Sequence, residues 1–153
     1  MAKNNSAQLS KSTLVRSIQC SKSLYLYKHY YQLRDKVSRS QQARFDRGHS
    51  VGFLARELFP GGKDLTPPSV FAYDQSVTAT KALIMNQYPV MYEAAFRYNG
   101  ILVAMDILVC REGKWYAYEV KSSLKISKTY LQDAAIQYYV MTQSGLELED
   151  IFI

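Results

Sequence analysis

The sequence contains no apolar segment that approaches the roughly 20 residues needed to cross a bilayer. Its opening, MAKNNSAQLSKS, has no hydrophobic stretch after the first charge and so lacks the pattern of a secretory signal peptide. The two cysteines, Cys20 and Cys110, are too few and too far apart for a disulfide framework or a CxxC metal site. These absences predict a cytoplasmic protein with reduced thiols and no membrane partner.

Glycine and proline are also scarce, with 7 and 4 copies among 153 residues, whereas 48% of the residues are apolar and 21% are charged. This composition is typical of one soluble globular domain. A chain of this length buries roughly 70% of the surface that its unfolded form exposes, so its core needs neither disulfides nor a structural metal. We expect a single domain over 1–153, with a basic helical part at 1–60 and a sheet-containing part at 88–153.

Positive charge is concentrated in the first third of the chain. Residues 1–50 contain ten basic residues and two acidic ones, while the other 103 residues contain nine basic and eleven acidic ones. Tyrosines are interleaved with these charges at positions 25, 27, 30 and 31. Such a segment suits a polyanion, because cations bind phosphates and aromatic faces stack on bases. Nucleic acid is one predicted partner, and an ordinary solvated basic face is the alternative.

Hydrophobic periodicity separates a helical first half from a strand-rich second half. Helices are predicted at 12–34, 41–58, 74–87 and 129–143. Strands are predicted at 90–98, 101–110 and 115–122. The Asn99-Gly100 and Glu112-Gly113 pairs between these strands favour tight turns, so the pattern predicts an α/β (α+β) domain with a three-stranded antiparallel meander.

The last four residues, Asp150-Ile-Phe-Ile153, have the composition of a strand. Natural domains seldom end inside an element, so we expect a fragment of a longer protein with further domains after Ile153. A short terminal edge strand is the alternative.

Asp106 interrupts the otherwise apolar run Ile101 to Val109, where an ionised carboxylate costs several kcal/mol unless something compensates its charge. If Glu112-Gly113 is a two-residue loop, the pairing register places Asp106 directly opposite Glu119, and Lys121 lies on the same face as Glu119. Two adjacent carboxylates repel each other unless a metal ion or a proton lies between them. The arrangement therefore predicts a site for a hard cation with an ammonium beside it.

Two alternatives stay open at this point. A three-residue loop would move Glu119 to the other face of the sheet. Asp106 could also be bound by backbone amides or paired with Lys121, with Glu119 facing solvent.

The order of these residues resembles the PD-(D/E)XK nuclease superfamily, and specifically its RecB-like branch, which includes CRISPR-associated exonucleases. The resemblance covers Glu93 in Met91-Tyr-Glu-Ala-Ala-Phe96, then Asp106, then Glu119-Val120-Lys121 and the following helix. Further motifs resemble the N-terminal part of an uncharacterised bacterial protein family with a nuclease-like front part: Leu9-Ser-Lys-Ser12, Cys20-Ser-Lys22, Gly48-His-Ser-Val-Gly52, Leu58-Phe-Pro-Gly-Gly62 and Tyr130 to Tyr139.

The resemblance implies a restriction-endonuclease-like core, with a mixed central sheet between helices, and hydrolysis of DNA by a metal-activated water. Asp106, Glu119 and Lys121 would be catalytic. Mg²⁺ or Mn²⁺ would be bound by Asp106, Glu119 and the Val120 carbonyl, with Glu93 as an additional or water-mediated ligand. The residues expected to contact DNA are Lys11, Lys22, Arg44, Arg47 and Gln137, and orienting the site is the alternative role for Gln137. A catalytically silent DNA-binding module is the alternative function.

Departures from the family pattern limit these expectations. Met105 stands where the motif has proline, which leaves the carboxylate geometry intact. Gly52 occupies the position where many RecB-like members have a metal-binding histidine, and His49, three residues earlier, is left out of the expected site. Cys20 has no downstream set of three cysteines, so an iron-sulfur cluster is not supported.

Overall fold

The computed structural model of the protein describes residues 9–153, so Lys3 and the other residues of the first eight lie outside it. Within this range five α-helices and six strands form a mixed α/β architecture, which confirms the predicted class. The helices are α1 (Lys11–Gln19), α2 (Ser21–His29), α3 (Arg39–Glu57), α4 (Tyr73–Met85) and α5 (Lys128–Gln143). The strands are β1 (Leu9–Ser10), β2 (Lys63–Asp64), β3 (Val90–Tyr98), β4 (Ile101–Arg111), β5 (Lys114–Tyr118) and β6 (Leu148–Phe152).

The strands form one sheet in the order β2-β3-β4-β5-β6, and β1 pairs with the beginning of β4. The pairs β3–β4 and β4–β5 are antiparallel, as the meander prediction required, whereas β1, β2 and β6 each lie parallel to their neighbour. The sheet is therefore mixed. The sequence pattern missed β1 and β2 because a two-residue strand has no measurable periodicity.

Both meander turns have the predicted two-residue length. Asn99 and Gly100 have φ angles of 46° and 76°, and Glu112 and Gly113 have φ angles of 52° and 79°. Two successive left-handed residues are typical of the type I′ turn, whose twist matches that of the strands it joins. The three-residue loop considered from the sequence is excluded.

The second turn fixes the register of β4 against β5. Pairing runs from Arg111–Lys114 to Ile107–Tyr118, which is the register predicted from a two-residue loop. The predicted strand 115–122 is too long, however, because β5 ends at Tyr118. Beyond that point the two strands separate, and the predicted site residues lie in the region of separation.

The single helix expected over 12–34 is wrong. The chain breaks at Cys20, whose backbone is extended and whose N–H donates to the Arg16 carbonyl and closes α1. A new helix, α2, begins at the next residue, although the sequence there contains no proline or glycine. In the described part of the chain, no helix is both long and apolar enough to cross a bilayer.

The main hydrophobic core lies between the sheet and helices α1, α4 and α5, and a smaller cluster lies on the other side, against the end of α3. Met105 and Leu108 of β4 both belong to the main core, although regular alternation would place residues three apart on opposite faces. Met91 and Ala94 of β3 show the same break. In each strand the side chains therefore stop alternating between the two faces once, between the two residues just named.

Candidate active site

A cleft of about 660 Å³ opens between α3 and the region where β4 and β5 separate. Its sheet-side wall contains Glu93, Asp106, Glu119, Val120 and Lys121. These five are the residues proposed from the sequence for catalysis and metal binding. The structure therefore brings the whole set to one cavity, although the set is spread over three strands.

The separation of β4 from β5 determines the hydrogen bonds around Asp106 and Glu119. The Glu119 N–H donates to the Phe152 carbonyl of β6 at 2.8 Å, so the chain follows β6 rather than β4. The Val120 N–H donates to Oδ2 of Asp106 at 2.6 Å. Asp106 and Glu119 would form the next pair of the β4–β5 register, yet the regular pairing stops one residue before them. A carboxylate thus takes the hydrogen bond that a backbone carbonyl would accept in a continued strand pair.

Glu119 is only 4% exposed and accepts hydrogen bonds from three side chains. Its Oε1 accepts from Lys11 at 2.5 Å and from Lys121 at 2.6 Å, and its Oε2 accepts from Gln137 at 2.5 Å. Burial alone would raise the pKa of Glu119, but the two ammonium groups outweigh it and hold the pKa below its usual value. Burial acts to lower the pKa of Lys121, yet Glu119 and Asp133 raise it, so Lys121 stays protonated.

Gln137 of α5 is fully buried, so the expectation that it contacts DNA is wrong for this arrangement, and its alternative role of orienting the site fits. Its amide nitrogen donates to Glu119 and also to the Ala104 carbonyl at 3.1 Å. Ala104 lies between the part of β4 that pairs with β1 and the part that pairs with β5. The glutamine therefore bridges the gap in the sheet and fixes the Glu119 carboxylate beside it.

Asp106 has no comparable cation. Among residues 9–153, no lysine or arginine forms an ion pair with its carboxylate. Burial raises the pKa of Asp106 to about 7, helped by the negative charges of Glu119 and Glu93, and the hydrogen bond from Val120 only partly opposes this. The backbone-amide alternative weighed from the sequence is thus present, but it leaves the carboxylate charge uncompensated.

Glu93 occupies a strained position on the third strand. The pairs on either side of it, Tyr92–Ile107 and Ala94–Met105, keep one register, yet Glu93 itself has φ of 55°. A left-handed conformation at a non-glycine residue costs about 1–3 kcal/mol and is found most often at functional sites. Burial raises the pKa of Glu93, although Arg56, whose Nη2 lies 3.4 Å from its Oε1, opposes the shift.

The opposite wall of the cleft is one face of α3. Arg44 lines the cleft, whereas Arg47 is exposed but lies outside it, because Arg44 is at the edge of the lining face and Arg47 falls beyond that edge. His49, which was left out of the expected site, lines the cleft as well. Arg56 was missed altogether, although the spacing of 44, 48, 52 and 56 along one helix face could have indicated it.

The other two residues expected to contact DNA lie elsewhere. Lys22 is exposed on α2 and does not line the cleft. Lys11 is largely buried and bound to Glu119, so it belongs to the site itself. Its position follows from β1, because pairing of Leu9 and Ser10 with β4 places the first residue of α1 beside the gap in the sheet.

The residues present fit a divalent cation by their chemistry. Mg²⁺ and Mn²⁺ prefer carboxylate and carbonyl oxygens, and the cleft has such oxygens on β3, on β4 and just beyond the end of β5, one of them on Asp106, which has no ion pair among the described residues. In the described part of the chain, no three His, Cys, Asp or Glu side chains are close enough together to bind one ion as they stand. The Glu119 carboxylate is also already bound by two lysines. A cation would therefore bind here only with rearrangement of these side chains.

No family model, curated protein or solved structure matches the chain. The functional interpretation therefore depends on the geometry of this cleft and on the motif residues that line it.

Proposed function

We propose that the protein is a metal-dependent nuclease of the PD-(D/E)XK type that hydrolyses phosphodiester bonds of DNA. The observation that carries the proposal is the convergence of Asp106, Glu119 and Lys121 on one cleft, with Asp106 partly buried and without an ion-pair partner among the described residues. A structural ion-pair network would compensate each buried charge, because an isolated one costs several kcal/mol. Asp106 instead accepts one backbone hydrogen bond but has no ion pair among the described residues, which leaves its charge available to a cation.

Mg²⁺ or Mn²⁺ would be bound by Asp106, Glu119 and the Val120 carbonyl, with Glu93 as an additional or water-mediated ligand. Such an ion supplies a water of lowered pKa and neutralises charge on the phosphate oxygens. The strained Glu93 and the hydrogen-bonded Asp106 hold their carboxylates at the cleft before any substrate arrives.

The remaining side chains have roles that follow from their contacts. Lys121 carries its charge into the cleft, where it would orient the attacking water or stabilise negative charge that develops on the phosphate. The Lys121 Nζ donates to Oδ2 of Asp133 at 2.9 Å, which fixes the ammonium group, and the Gln137 amide fixes the Glu119 carboxylate in the same way. Arg44 on the opposite wall would bind a phosphate of the DNA backbone.

Calorimetric titration with Mn²⁺ tests the proposal most directly. We expect binding by the wild type and loss of binding in Asp106→Ala, because that carboxylate is the ligand with no competing cation. The matched control is Asp74→Asn, which removes an exposed acid that pairs with Arg97 outside the cleft. Absence of Mn²⁺ binding in the wild type, or unchanged binding in Asp106→Ala, would contradict the metal site.

One observation favours the alternative, a catalytically silent DNA-binding module. Glu119 is bound by Lys11, Lys121 and Gln137, so its two oxygens are already satisfied by protein donors. A silent module would bind DNA while failing to bind Mn²⁺ and failing to cleave. The same titration, combined with a DNA-binding measurement, therefore separates the two functions.

The two neighbouring arginines of α3 predict different effects on DNA binding. Arg44→Glu is expected to weaken binding about tenfold for unrelated sequences and to lower the slope of log affinity against log salt by roughly one. Arg47→Glu, the matched control, should have little effect because Arg47 lies outside the cleft. Fluorescence anisotropy at several salt concentrations measures both. Equal losses in the two variants would show that DNA binds to another face of the helix.

A further inference from the structure

Two phenylalanines of α3 face the cleft without being buried in it. Phe45 is 54% exposed and Phe53 is 67% exposed, and both line the cavity. They are eight residues apart, which corresponds to two helical turns and about 12 Å along the helix axis. Aromatic rings left exposed in a cleft with charged walls are not explained by packing, so they indicate a ligand with flat apolar faces.

The helix surface between the two rings is open. Gly48 and Gly52 lie there, and a Cβ atom built on either glycine would have no neighbour within 4 Å. Glycine inside a helix costs roughly 0.5–1 kcal/mol relative to alanine, so two of them on this face weaken the helix without filling any space. They leave a shallow floor along which an extended ligand lies close to the helix backbone.

Cations accompany each ring. Arg44 is adjacent to Phe45 in the chain and lines the same cleft. The Arg56 guanidinium lies 5.2 Å from the centroid of the Phe53 ring. Arg56 is itself ion-paired with Asp64 and Glu93, so Arg44 is the cation left for a phosphate. Cations beside stacking rings match a polymer that alternates phosphates with aromatic bases. The acidic cluster that would receive the scissile phosphate lies across the same cleft.

From this arrangement we infer that the cleft takes a single strand of DNA, with unpaired bases stacked on Phe45 and Phe53 and a phosphate at Arg44. The inference rests on the proposed nuclease function and adds the substrate class to it. A duplex does not fit this surface, because its base faces are already stacked on one another and only edges and backbone are exposed. A strand with unstacked bases offers one face to each ring.

Fluorescence anisotropy in EDTA tests the inference without any cleavage. The probes are a labelled single-stranded oligonucleotide of mixed sequence and the duplex of the same sequence. Phe45→Ala and Phe53→Ala should each weaken single-strand binding about 5- to 150-fold, the range expected for loss of one base–aromatic contact, and should change duplex binding less than twofold. Phe45→Trp should restore single-strand binding, because indole also stacks on bases.

Phe71→Ala is the matched control, since Phe71 is 94% exposed but lies outside the cleft. Tighter binding of the duplex than of the single strand, or unchanged single-strand binding in both alanine variants, would overturn the inference. Failure of the nuclease proposal has a different result, namely single-strand binding that depends on both rings with no cleavage after addition of Mn²⁺. Cleavage of duplex that is unaffected by the alanine variants would instead retain the nuclease and overturn the single-strand assignment.

Discussion

Asp106→Asn is expected to lower metal-dependent DNA cleavage by at least about a thousandfold while leaving the fold intact. The amide keeps the size of the side chain and an oxygen that accepts the Val120 N–H, so the local hydrogen bond survives. What is lost is the negative charge that a divalent cation requires. Cleavage of labelled DNA with Mg²⁺ or Mn²⁺, read on denaturing gels beside thermal melts of the same samples, measures both properties.

Lys121→Met should reduce cleavage similarly, and Lys114→Met, at the other end of β5, is its control. Glu119 is a less suitable position, because its removal leaves Lys11 and Lys121 without their shared carboxylate. Breaking such a buried ion pair costs about 3–5 kcal/mol, so lost cleavage there could reflect lost structure. Cleavage retained by both Asp106→Asn and Lys121→Met would refute the assigned site.

The second large effect concerns stability and pH in the absence of metal. The pKa of Asp106 is about 7 in the folded protein, against an ordinary value of 3.8 for an aspartate, so the folded state binds the proton more tightly than the unfolded state. The stabilising effect of that proton is complete below about pH 4 and is lost as pH rises through 7. Between pH 5 and pH 8 the wild type should therefore lose roughly 2–3 kcal/mol relative to Asp106→Asn, which does not titrate.

Urea unfolding in EDTA at several pH values, with wild type and Asp106→Asn measured side by side, tests this expectation. The difference in the free energy of unfolding should grow in favour of the variant as pH rises. Saturating Mn²⁺ should reverse the trend for the wild type alone, because an ion bound only to the folded state stabilises it. A difference that stays constant from pH 5 to pH 8 would contradict the raised pKa, because folding would then not change proton binding by Asp106 over this range.

The parts of the fold that the sequence predicted well have short-range causes. Both hairpins follow from a glycine at the second turn position, preceded in the first turn by Asn99, which tolerates positive φ, and the register of β4 against β5 follows from the turn length alone. Helix α3 was predicted to within two residues because its apolar residues repeat at helical spacing and Pro60-Gly61-Gly62 follows it; the capping box at Ser38 that begins it was not used. The break at Cys20 has no such local signal, so the hydrophobic periodicity predicted one continuous helix across it.

The site was predicted only where it lies on the meander. The predicted register placed Asp106 opposite Glu119. Nothing in the sequence pattern could show that pairing of β4 with β5 would end one pair before these two residues, or that the chain would then bond to β6. That departure makes room for Gln137 and Lys11, which reach Glu119 from α5 and α1. Their roles depend on tertiary placement, and for this reason the sequence assigned both of them to DNA contact.

The bond between Lys11 and Glu119 joins residues 108 positions apart in the chain. Closing so long a loop costs conformational entropy, and a contact of this separation forms only when most of the intervening chain is in place. The meander alone, with its local hairpins, would present the acidic cluster without its complete set of counterions. The complete set of counterions around Glu119 is thus a property of the fully assembled chain, and an N-terminal extension or deletion that disturbs β1 acts on the candidate site at its most distant contributor.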